Sequence, residues 1–115
     1  MSKTLLIDLD GVLNQYKGNY NEKIIPPIIE GAKEFLIESS KNYEIKIFTT
    51  RKTELVKKWV EQNKIENYIS EITQKKEPAW AYIDDRCINF RGDFNSLTKE
   101  LQNFQPWWKY KKTDS

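Results

Sequence analysis

Histidine is absent from the 115-residue chain, which excludes Ser-His-Asp and Cys-His nucleophile systems, His-ligated zinc and imidazole acid–base catalysis. Proton transfer is left to carboxylates, Lys, Tyr or Cys. The single cysteine, Cys87, permits no internal disulfide and no Cys-rich metal site, suits a reducing compartment and reads as a small packing residue. Four glycines, at positions 11, 18, 31 and 92, write neither a Walker A loop nor a dinucleotide fingerprint. No apolar run approaches the roughly 20 residues of a membrane span, and the first residues lack a signal peptide's apolar core. These absences predict a cytoplasmic protein with no membrane partner.

What is present is one domain's worth of chain: 38% hydrophobic, 13% aromatic and 31% charged residues, enough to fold around one modest core. Lys and Arg number 19 against 17 acids. The excess lies in residues 105–115, where Lys109, Lys111 and Lys112 face only Asp114. Residues 1–104 are balanced, which argues against a broad duplex-binding face. We therefore expect a core over 1–104 and a basic aromatic tail over 105–115.

Residues 4–9 form a short apolar run that reads as a strand buried on both faces. Residues 11–25, rich in Gly and Asn, read as turns with room for a small hairpin. Pro26-Pro27 is placed to open a helix, with Ile28, Ala32, Phe35 and Leu36 at helical spacing to about Ser40. Glu44–Thr49 reads as a second buried strand. A helix from about Thr53 follows, with Leu55, Val56, Trp59 and Val60 on one side. Short strands are expected at Tyr68–Thr73, Trp80–Ile83 and Cys87–Phe90. Phe94, Leu97, Leu101 and Phe104 mark a last helix whose apolar side is expected in the core. The alternation predicts an α/β fold with a parallel sheet covered on both faces.

Three runs end in polar residues: Asp8 and Asp10, then Thr49, then Asp84 and Asp85. In open parallel sheets ligands bind at the carboxyl edge of the strands, so these side chains are expected to converge. Four carboxylates in one crevice repel one another by several kcal/mol at low effective dielectric, and a cation is needed to hold them. Hard oxygen donors without His or Cys point to Mg²⁺. A phosphate monoester completes such a site. One aspartate attacks phosphorus, a second carboxylate handles the proton, Thr49 bonds a phosphoryl oxygen, and Lys75 or Lys76 neutralises charge on it.

The order Asp8-Leu9-Asp10-Gly11-Val12, Ile47-Phe48-Thr49-Thr50-Arg51, Lys76-Glu77-Pro78-Ala79 and Tyr82-Ile83-Asp84-Asp85 resembles the four motifs of the haloacid dehalogenase (HAD) superfamily over about residues 4–95. It is similar in particular to small uncapped members found in phages and bacteria. The resemblance implies a three-layer, Rossmann-like parallel sheet without a cap domain. Carried over by position, Asp8 is the nucleophile and a Mg²⁺ ligand. Asp10 is the general acid/base with its backbone carbonyl on the metal. Thr49 and Lys76 bind the phosphoryl group, Asp84 completes the metal site, and Asp85 supports it. Lys76 is preferred to Lys75 by its spacing to Pro78. Residues 11–23 become the flap that gates the site. Superfamily members that break carbon–halogen bonds lack a carboxylate at position 10, and the pumps carry threonine there, so a phosphatase or phosphotransferase is implied.

Thirty-eight residues separate Asp10 from Thr49 and 26 separate Thr49 from Lys76, too few for a separate cap. Substrate contacts are expected from Thr50, Arg51 and Arg86, the arginines through their forked donors. Small esters and nucleic-acid ends are both admissible substrates. The tail, with Trp107, Trp108, Lys109, Tyr110, Lys111 and Lys112, reads in two ways. It is a strip for nucleic acid or a protein partner, or its tryptophans fold back over the domain while the lysines stay solvated. The first reading supports an alternative function, a catalytically silent interaction module.

Overall fold

The computed structural model describes residues 3–109. Four parallel strands, β1 (Lys3–Asp8), β2 (Tyr43–Phe48), β3 (Glu71–Thr73) and β4 (Ala81–Ile83), form one sheet in the order β3-β2-β1-β4. The helices are α1 (Ala32–Ser39), α2 (Thr53–Gln62) and α3 (Phe94–Gln102). The α/β class and parallel sheet are as expected, and the topology is compatible with a Rossmann-like fold. No helix among the described residues is long and apolar enough to cross a membrane.

The central strand explains the apolar run: Leu5, Leu6 and Ile7 are all buried, because β1 has a neighbour on each side. β1 pairs with β2 from Lys3↔Tyr43 to Asp8↔Phe48, and with β4 from Leu5↔Ala81 to Ile7↔Ile83. Leu5, Ile7, Ile45 and Ile47 point to one face and join Leu36 of α1 and Val56, Trp59 and Val60 of α2 in a single core. Two successive crossovers of the same hand place both helices there. The other face carries Leu6, Lys46 and Tyr82. Residues 74–80 cross it as irregular chain, fixed where Lys46 meets Glu77 at 3.0 Å and the Tyr82 hydroxyl donates to the Glu77 carbonyl at 2.9 Å.

Several expectations are corrected. α1 starts at Ala32, not near Pro26. The Ile29 and Gln15 amides pair with the Leu13 and Pro27 carbonyls at 2.9 Å, so 27–29 lies extended beside 13–15. The chain then turns at Gly31, φ 92°. The hairpin expected within 11–25 is replaced by this longer-range pairing, seen as an antiparallel bridge between Asn14 and Ile28. The strand at 68–73 shortens to β3, because Glu66–Tyr68 coils into a 3₁₀ turn. Residues 87–90 form no strand, and Cys87 is exposed instead of packed. α3 forms, with Asp93 accepting from the Asn95 and Ser96 amides as its cap, but Phe94 is 73% and Leu101 64% exposed. Helical period marks an apolar face without supplying anything to cover it. Of the tail, Pro106 is buried and Trp107–Lys109 forms a 3₁₀ turn. Tyr110, Lys111 and Lys112 lie outside the described residues.

Candidate active site

Register brings the acids together. Ile7 pairs with Ile83, so the next residues, Asp8 and Asp84, leave adjacent strands at the same carboxyl edge, where neighbouring chains lie about 4.8 Å apart. Carboxylate oxygens of Asp8, Asp84 and Asp85 all lie within 4.8 Å of one another. Asp84 also accepts from the Arg86 amide at 2.9 Å, which fixes the turn after β4. Burial, the Asp84 charge, a hydrogen bond with Asp85, the Asp85 charge and the Asp10 charge, in that order, push the Asp8 carboxyl up to about 8. Asp8 therefore sits in a pocket of uncompensated negative charge, as the strand-end pattern suggested.

Asp10 is placed differently from the other three acids. Its two oxygens accept from Arg51 Nε at 2.9 Å and Nη2 at 3.0 Å, and Oδ1 also accepts from Asn14 Nδ2 at 3.0 Å. The chain turns after β1, where Val12, Leu13 and Asn14 amides all point back at the Leu9 carbonyl. Strand alternation therefore stops governing side-chain direction before residue 10. The four-acid cluster is a three-acid cluster with a neutralised neighbour.

Arg51, expected at the substrate, is 2% exposed. Its third nitrogen, Nη1, donates to the Asn21 carbonyl at 2.7 Å, and its guanidinium lies 4.5 Å from the Tyr20 ring centre. It ties the end of β2 to Asp10 and to the 11–23 segment. Thr49 is buried, and its hydroxyl oxygen accepts from the Arg51 amide at 3.1 Å. Thr50 is exposed and lines, together with Arg51, a cavity of about 380 Å³ closed by Tyr20, Lys23 and Leu55.

A second cavity of about 240 Å³ reaches the acids: Asp8 and Asp84 meet Leu6, Phe48, Tyr82, Lys76, Arg86 and Cys87 around it. Lys76 lies with its ammonium 4.8 Å from the Tyr82 ring centre. Lys75 is not among the lining residues, and its amide caps Thr73 Oγ1 at 3.1 Å.

Two contributors, Asn14 and Gln74, escaped sequence reasoning. Asn14 is fully buried; its side chain accepts from the Gly11 and Tyr16 amides and donates to Asp10. Its spacing of four from Asp10 in a turn was the available signal. Gln74 donates to the Arg51 carbonyl at 2.8 Å. Trp107 and Trp108 reach into the site, their indole nitrogens donating to the Gly11 carbonyl and the Asp85 carboxylate, each at 2.6 Å. Of the two readings of the tail, the tryptophans folding back over the domain is the one seen. Compared with protein-family models, curated proteins and solved structures, the chain matches none.

Proposed function

We propose that the chain is a Mg²⁺-dependent phosphomonoester hydrolase acting through an aspartyl-phosphate at Asp8, on an uncapped HAD-type core. The supporting observation is the convergence of Asp8, Asp84 and Asp85 at the carboxyl edge of the sheet, with Lys76 on the cavity that opens from it. The donor set fits the ion: three hard oxygen ligands, a half-buried carboxyl pushed up by desolvation and by its acidic neighbours, and no His or Cys ligand among them. Asp8, Asp84 and Asp85 would hold Mg²⁺, and its charge would neutralise the acids and draw density from the phosphoryl oxygens.

Asp8 attacks phosphorus as its carboxylate, the bond to the ester oxygen breaks, and the departing oxygen takes the proton carried by a protonated Asp10. Water then attacks the aspartyl-phosphate, Asp10 takes its proton, and inorganic phosphate leaves. Thr49, whose hydroxyl hydrogen is left free to donate, and the Lys76 ammonium bind the phosphoryl oxygens. Both Asp10 oxygens are engaged, so proton transfer there requires at least one Arg51 bond to open. Arg86 on the cavity rim and the exposed Thr50 remain the substrate contacts in this scheme, whereas Arg51 positions Asp10. The test is release of phosphate from an aryl phosphate with Mg²⁺ by wild type and Asp8→Asn. Loss of at least ~10³-fold is expected for removal of a nucleophile, and equal rates would remove Asp8 from the mechanism. The alternative, a silent module docking nucleic acid or protein through 105–115, is disfavoured because both tryptophans commit their N–H groups to the site.

A further inference from the structure

The tail was the one sequence motif that the phosphatase scheme did not absorb. Its described part is a built contact. Lys109 donates from its amide to the Pro106 carbonyl at 2.9 Å, closing a turn that presents both tryptophans to the same side. Trp107 holds the Gly11 carbonyl, one residue after Asp10, and Trp108 holds Asp85 Oδ2. The Trp108 ring meets the Tyr16 ring edge-on, centroids 5.3 Å apart at 78°, and the Arg86 guanidinium lies 5.4 Å from its centre.

Its seat requires glycine. A side chain at Gly11, φ 86°, would overlap the Asp85 carboxylate and the Trp108 indole, and one at Gly18 would come within 3.4 Å of the Trp108 ring. Simple packing would have no need of an N–H aimed at a carboxylate. A short charge-assisted bond does something more specific: it stops rotation of a carboxylate whose oxygens lie beside Asp8 and Asp84.

We propose that Trp108 is a positioning residue of the divalent-cation site, acting through Asp85, so that the carboxyl-terminal segment is part of the ligand-orienting shell. This rests on the metal reading of the acidic cluster given above. Outer partners that hold a ligating carboxylate typically contribute about 10–100-fold to metal affinity. Trp108→Phe keeps a ring against Tyr16 and removes the donor.

Mg²⁺ alone, titrated by calorimetry into the full chain, is expected to bind Trp108→Phe about 10–100-fold more weakly than wild type. Trp80→Phe, at an exposed indole stacked on Lys3, should match wild type. In parallel, the wild-type indole N–H resonance of Trp108, assigned through its contact with Tyr16, should move with Mg²⁺ at the calorimetric midpoint. That measurement decides the matter even where the variant fails to fold. Affinity of a folded Trp108→Phe within twofold of wild type, or an unmoved Trp108 resonance in a protein that binds Mg²⁺, overturns the role of Trp108 and leaves the acidic site standing. A wild type that takes up no Mg²⁺ overturns both.

Discussion

The Asp10–Arg51 pair gives a quantitative test that needs no substrate. The Arg51 side chain is fully buried and that of Asp10 is 19% exposed. They share two charge-assisted hydrogen bonds of 2.9 and 3.0 Å. Asp10→Ala leaves a buried cation whose side chain keeps one acceptor, the Asn21 backbone carbonyl, and should cost about 3–5 kcal/mol, the range for breaking a buried pair from one side. Arg51→Met leaves a carboxylate that still accepts from Asn14 and reaches water through its exposed part, so a smaller loss of about 2–3 kcal/mol is expected. The double variant carries no orphaned charge, and its loss should fall short of the sum of the singles by about 2 kcal/mol or more. Urea unfolding of the four proteins, followed through the fluorescence of the buried Trp59, measures every corner of the cycle. Losses that add to within about 0.5 kcal/mol would refute the coupling, and with it the account of Arg51 as the clamp on Asp10.

Three further outcomes follow from the same geometry. Asp8 is raised from 3.8 to about 8, so without metal the folded state holds a proton that the unfolded state has lost, and stability falls as pH rises from about 4 to about 8. Asp8→Asn should therefore melt higher than wild type in chelator, by a margin that grows across that window and levels off above it; a margin independent of pH would contradict the burial and crowding of Asp8. Gly11→Ala forces a side chain into a left-handed position and into Trp108, with an expected loss of about 2 kcal/mol or more and a red shift in tryptophan emission as the indole is released. An unchanged spectrum would count against the docked tail. Ile47→Ala, at a fully buried position of β2, should cost about 2–5 kcal/mol by chemical denaturation, and a loss below 1 kcal/mol would mean the core is assembled elsewhere.

The legible parts of the chain were those governed by local period. The apolar runs at 4–9 and 44–49 became β1 and β2, and Leu55, Val56, Trp59 and Val60 marked the packed side of α2. Polar residues ending those runs pointed to the sheet's carboxyl edge, and Asp8, Asp84 and Asp85 do meet there. Where local signals competed with distant partners they failed. Pro26-Pro27 is a sound helix opening, yet the backbone of residues 13–15 captured 27–29 first. Phe94 and Leu101 fall on one side of a capped helix, yet nothing among the described residues buries them.

Sequence alone determined the chemical inventory: carboxylates and lysines without imidazole or thiolate clusters, and a chain that folds as alternating strands and helices. These depend only on which side chains exist and on periods of two and 3.6 residues. Tertiary structure decided the assignments. It took Asp10 out of the acidic cluster, turned Arg51 inward and brought Trp108 to Asp85. Each of these contacts joins residues separated by 23 or 41 positions, and such a contact is set by strand register and by the path of the returning chain.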